Sequence, residues 1–180
     1  IMNNQTVIVN ASELDVQIGR QVILNKTGLT VFENERVGLV GRNGAGKSTL
    51  LSILAGTLKP DGGILAFKRD TQVAFLPQDL PLDPAKTVRE NVLGGAAYVL
   101  KMIGRYEQMP HDHPEAAALE HSIARHGGWT LDNRVDEAMT RLHLPDPARS
   151  CENLSGGERR RVALCRSLVS QSDLLLLDEP

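Results

Sequence analysis

Gly41-Arg-Asn-Gly-Ala-Gly-Lys-Ser48 fits the spacing G-x-x-x-x-G-K-[ST] without a mismatch, and that spacing has one main use, holding the phosphates of a nucleotide. Gly41, Gly44 and Gly46 let the backbone curl tightly and turn successive N–H groups inward as an anion nest, to which Asn43 and Ala45 also belong. Lys47 adds a point charge that can reach the outer phosphates, and the Ser48 hydroxyl is a hard oxygen ligand for Mg²⁺. The helix begun by Lys47, Ser48, Thr49 and Leu50 aims its positive N-terminal dipole at the same anion.

The flanks supply the expected context. Arg36-Val-Gly-Leu-Val40 reads as a short buried strand. Ser48-Thr-Leu-Leu-Ser-Ile-Leu-Ala55 reads as a helix, with Gly56 where a helix C-cap belongs. Strand, glycine-rich loop and helix in that order predict an α/β fold.

The chain has 180 residues, enough for one domain with a real core. Its net charge of −2 gives no basic footprint for nucleic acid or a membrane surface. No apolar run reaches membrane-spanning length, and the N-terminal residues lack the basic and apolar regions of a signal peptide. Cys151 and Cys165 have neither metal nor redox spacing and read as ordinary thiols of a reducing cytoplasm.

Residues 5–40 are rich in Val, Ile and Thr and are broken at Gly19-Arg20 and at Glu33-Asn-Glu35, which predicts short, partly antiparallel strands. Two more strands are expected at Ile64–Phe67 and Gln72–Leu76. Thr87-Val-Arg-Glu90 fits a capping box, and helices are expected over much of 87–105, 114–126 and 132–143. Met109–Pro114 resembles the tip of a helical hairpin.

Leu154-Ser-Gly-Gly-Glu158 is the second strong signal. Ser155 and Glu158 form another capping box, opening a helix from Gly156 to Val169. A helix N-terminus, the glycines Gly156 and Gly157 and a serine hydroxyl together make a second candidate anion site; an ordinary helix start carries the same residues. Leu174-Leu-Leu-Leu-Asp-Glu179 is the third signal, a strand ending in two carboxylates at the edge where ligands of α/β sheets bind. Asp178 suits Mg²⁺, directly or through water. Glu179 suits a base that orients or deprotonates an attacking water.

These motifs in this order resemble the ATP-binding cassette (ABC) family over nearly the whole chain. Gly41–Ser48 matches its Walker A loop, Gln78 in Leu76-Pro-Gln-Asp79 its Q-loop, Leu154–Glu158 its signature, and Leu174–Glu179 its Walker B strand with the catalytic glutamate. The resemblance implies an α/β P-loop NTPase fold with a mixed sheet core, an antiparallel β-subdomain and a helical subdomain at 86–150. It implies ATP and Mg²⁺ as ligands, with Lys47, Gln78 and Glu179 in catalysis and Ser48, Gln78 and Asp178 at the metal. Two cassettes then pair head to tail, so that Ser155, Gly156 and Gly157 serve the partner's nucleotide.

Residues 79–153 form a longer stretch than transporter cassettes usually place there. Gly128–Pro145, Leu154–Leu164 and Glu35–Gly46 are similar in wording to the ABC-F branch, whose members carry two cassettes in one chain and act on ribosomes. That likeness implies that 98–129 is an arm-like insertion, that the ribosome and tRNA are partners, and that the protein is cytoplasmic. Two departures accompany it: Ile18 stands where the family often has an aromatic residue for adenine, and the chain stops at Pro180, as a cassette incomplete at its C-terminal end would. Two rivals are a transporter's ATPase subunit and a nucleotide-gated clamp with incidental turnover. His111 and His113 read as loop residues rather than half a metal site. Arg159-Arg-Arg161 read as packing and solvated residues, and the hairpin's charges are mixed.

Overall fold

The computed structural model describes residues 5–80, 82–110 and 112–179. They form two compact units, one running to Gln78 and resuming over Ser172–Glu179, the other covering Asp79–Gln171.

In the first unit, β1 (Val7–Ile18) and β2 (Gln21–Phe32) form an antiparallel hairpin closed at Gly19-Arg20, with Ile18 opposite Gln21 and Val7 opposite Phe32. β3 (Gly62–Phe67) pairs antiparallel with the other edge of β1, giving the order β2-β1-β3. The expected short strands are in fact two of 12 residues each. Register shifts on both sides of Leu14, and positive φ at Glu13 (50°) and Lys26 (44°), break their alternation. Bulges of this kind interrupt the two-residue period from which strand length is read.

After the loop, α1 (Lys47–Leu54) turns Leu50, Leu51, Ile53 and Leu54 into the core against Val9, Leu14, Leu24, Leu174 and Leu176. Ile53 is completely buried, and covering a side chain of that size contributes about 1.5–3 kcal/mol. β4 (Val73–Leu76) and β5 (Leu174–Leu177) pair in parallel, Val73 with Leu174 through Leu76 with Leu177.

The expected strand at Arg36–Val40 is not formed. That stretch is irregular, with Val40 98% and Val37 45% exposed, and among the described residues it pairs with no strand. An apolar run becomes a buried strand only where neighbours satisfy its N–H and C=O groups and cover both faces.

The second unit is helical. α2 (Val88–Leu93) passes through a 3₁₀ turn (Gly94–Ala96) into α3 (Ala97–Glu107); α4 (Ala116–Arg125), a 3₁₀ turn at Gly128–Thr130, α5 (Leu131–Arg141), a third 3₁₀ turn at Cys151–Asn153 and α6 (Gly156–Val169) follow. Within this unit α6 packs on α2 and α5. The crossing is close: a Cβ on Gly95 would lie 1.9 Å from the Arg166 carbonyl oxygen. Arg89 ties α2 to α5 through Asp132, at 2.9 Å, and Asp136.

α3 and α4 form the hairpin, packed around Val99, Met102 and Ile123. Tyr106, in the last turn of α3, and Trp129, in the 3₁₀ turn after α4, meet edge-to-face at 5.5 Å. His113 near the tip accepts the Glu115 N–H through Nδ1 at 3.2 Å; His111 lies outside the described residues. Arg159 donates to the Cys151 carbonyl at 3.3 Å, which fits its packing role.

Candidate functional site

Parallel pairing of β4 and β5 determines where the acidic and amide side chains emerge. Gln78 lies two residues beyond β4, and Asp178 and Glu179 immediately follow β5, so all three leave the same edge of the pair. The Asp178 N–H extends the ladder by donating to the Leu76 carbonyl at 2.9 Å.

The glycine-rich loop is seated on β2. Gly46 has φ +89°, and a Cβ there would lie 2.9 Å from Leu24 Cδ2 and 3.0 Å from the Ile23 carbonyl oxygen. Only glycine meets both the left-handed backbone and the close approach. Lys47 Nζ donates to the carbonyls of Gly41 (2.9 Å) and Arg42 (3.0 Å), bracing the loop from within. The first turn of α1 has no side-chain cap and no acidic residue. Its positive end therefore faces outward without a counter-charge of its own.

These elements enclose a cavity of about 480 Å³, within the range of small-molecule sites. Asn43, Gly44, Gly46, Lys47, Ser48 and Thr49 line it from the loop and α1, and Gln78 and Glu179 from the strand ends. Lys47 and Glu179 are the charged residues among those lining it. Gly41 and Ala45 belong to the loop without lining the cavity. Asp178 is 5% exposed and does not line it either. Glu179 has φ +49°, in the left-handed region, which carries its side chain to the cavity where Asp178 turns inward.

Gln21 and Ile23 also line the cavity, and sequence motifs did not indicate them. Their i, i+2 spacing puts them on one face of β2, but nothing local says that this face meets the loop. Ile18 is 61% exposed and outside the lining.

The second anion-site candidate belongs to the helical unit. Ser155 caps α6: its hydroxyl accepts the Glu158 N–H at 3.3 Å, and Glu158 Oε2 accepts the Ser155 N–H at 2.7 Å. Leu154 is buried and anchors the turn, while Ser155, Gly156 and Gly157 are exposed. No Cβ contact within 4 Å constrains Gly156, and neither glycine has positive φ. Packing among the described residues therefore does not account for two glycines there.

Cys165 is buried, and that burial pushes its thiol up to about 11, so it stays protonated and inert at neutral pH.

Residues 24–180 match the family model described as ABC transporter. Over 171 residues the chain is 40% identical to the energy-dependent translational throttle protein EttA of Mycobacterium tuberculosis, covering 90% of this chain and 31% of that protein. The Haemophilus influenzae protein of the same name is 41% identical over 169 residues, covering 88% of this chain and 30% of that protein. The chain thus spans less than a third of the length of these relatives. Among solved structures, the ATP-binding subunit of an ABC transporter superposes with a TM-score of 0.72 at 20% identity, over 96% of this chain and 66% of that one. An ABC transporter ATP-binding protein from Pyrococcus furiosus gives 0.68 at 21% identity, over 96% and 75%. At those identities the likeness is one of fold.

Proposed function

Since the chain belongs to the ATP-binding-cassette family, whose model matches its residues 24–180, we propose that it binds ATP at the loop cavity and hydrolyses it to ADP and phosphate. The observation that carries this reading is the convergence of Lys47, Ser48, Gln78 and Glu179 on one cavity.

In this reading the loop N–H groups from Gly41 to Ser48 and the start of α1 at Thr49 hold the phosphates. Lys47 exchanges its two loop carbonyls for phosphate oxygens. Glu179 orients a water and takes its proton as the water oxygen bonds to the γ-phosphorus; the bond from that phosphorus to the bridging oxygen breaks, and ADP leaves. The donor set suits Mg²⁺: Ser48 and Gln78 offer hard oxygens at the cavity, and buried Asp178 would act through a water. Bound there, the ion would neutralise charge on the β- and γ-phosphates.

Ser155, Gly156 and Gly157 are assigned to the nucleotide of a second cassette, in the same chain or a dimer mate. Their exposure and the absence of an internal reason for the glycines support this. The chain then belongs to one cassette, with a helical subdomain at 86–150 and an arm-like hairpin at 98–129.

The finer proposal is an ABC-F-type cytoplasmic translation factor acting on the ribosome with its tRNA. Identity of 40% with proteins named for translational throttling supports it over a transporter subunit. No described helix is long and apolar enough to cross a membrane. The test is co-sedimentation of the intact Glu179→Gln variant with ribosomes. ATP-dependent retention exceeding that of the wild type is expected; no ATP-dependent retention would refute the translation role.

A further inference from the structure

Arg149 lies four residues upstream of Asn153 and outside every motif of the sequence, yet its guanidinium closes the signature turn from both sides. One nitrogen donates to Glu158 Oε1 at 2.9 Å and another to the Asn153 carbonyl at 2.9 Å. The other oxygen of Glu158 already accepts the Ser155 N–H. Asn153, Arg149, Glu158 and Ser155 therefore form a closed ring around Leu154 and the start of α6. Arg149 is itself fixed, since its carbonyl accepts the Val88 N–H at 2.9 Å at the start of α2. A forked donor bridging a carbonyl and a carboxylate needs arginine's planar geometry.

The ring has an electrostatic consequence. The exposed N-terminus of α6 attracts anions, but Glu158 puts a carboxylate in its first turn. Hydrogen bonds from the backbone and hydroxyl of Ser155, with Arg149 adding to them, hold the Glu158 carboxyl below its usual range, so it is charged at neutral pH. Arg149 supplies the compensating charge at the start of α6.

We infer that Arg149 is a positioning residue for ATP hydrolysis: it locks the turn Asn153–Glu158 and cancels the Glu158 charge where the phosphates of a second cassette's nucleotide approach. The inference rests on the function proposed above.

The test is steady-state ATP turnover by the intact protein, with kcat and KM measured for Arg149→Ala, Arg149→Lys, Glu158→Gln and the double variant Arg149→Ala/Glu158→Gln, and with melting temperatures alongside. Arg149→Ala is expected to lose about tenfold in kcat/KM, a loss that shrinks with added salt. Glutamine keeps the capping box without the charge, so the double variant should recover most of the loss. Arg149→Lys keeps the charge but not the fork and should fall between wild type and alanine. Wild-type kinetics in Arg149→Ala, a double variant as impaired as Arg149→Ala, or a lysine variant no better than alanine would each overturn the inference while leaving ATP hydrolysis in place. Absence of turnover in the unsubstituted protein would instead overturn the proposed function, and this inference with it.

Discussion

Replacing Lys47 with alanine should weaken ATP binding by about 1.5–3 kcal/mol, the usual size of a hydrogen-bonding contact to a charged group. That corresponds to roughly a 10- to 150-fold rise in Kd. The estimate follows from the cavity's composition. Lys47 is the only cation among the residues lining it, and Glu179 is an anion there. Without the ammonium the site therefore presents a net negative charge to a polyanionic ligand. Part of the gain from phosphate contact is offset, because Lys47 Nζ already has two carbonyl partners, Gly41 and Arg42, which it must leave. Those carbonyls can turn to water, so the fold should lose only about 0.5 kcal/mol. Calorimetric titration of the intact protein with Mg²⁺ and a non-hydrolysable ATP analogue measures the effect. A Kd within about threefold of wild type would show that this loop does not hold the phosphates.

Three further outcomes concern stability. Arg134 donates to the carbonyls of Gly127 (3.2 Å) and Val169 (3.1 Å) at the C-terminal ends of α4 and α6, so Arg134→Ala should cost about 2 kcal/mol in urea denaturation; no change would mean those contacts are not maintained in solution. Gly95→Ala must force the α2–α3 junction away from the Arg166 carbonyl and should cost about 3 kcal/mol by the same assay, with full stability contradicting the crossing described. Backbone and hydroxyl hydrogen bonds from Thr87 and Ser155 lower the carboxyls of Glu90 and Glu158 from 4.5; lowered folded values stabilise above that pH, and the contribution is lost as pH falls through them. Thr87→Ala and Ser155→Ala should accordingly flatten the loss of stability below about pH 4.5, and an unchanged acid limb in both would refute the assignment.

What could be read from the chain was whatever local chemistry dictates. The loop from Gly41 to Ser48, both capping boxes and the helix from Gly156 to Val169 depend on residues close to one another in the chain, and α1, the two boxes and α6 are formed where they were expected. What could not be read depends on partners distant in sequence. Arg36–Val40 has the composition of a buried strand, but composition does not provide neighbouring strands. Gln21 and Ile23 reach the cavity only because β2 supports the loop. Asp178 and Glu179 are adjacent, yet one is buried and the other lines the cavity, a division made by the backbone turn at Glu179. Arg149 and Arg134 look like any surface arginine until the carbonyls they hold are known.

The central claim is that Glu179 acts as the base in Mg²⁺-dependent hydrolysis of ATP held by the Lys47 loop. Phosphate release by the intact protein, measured for wild type and Glu179→Gln with Mg²⁺ and with the ion chelated, tests it most directly. The account predicts turnover in the wild type that stops on chelation, and a glutamine variant that binds ATP but releases phosphate at least about 100-fold more slowly, the scale of a lost general base. Equal phosphate release by the two proteins in Mg²⁺ would contradict it.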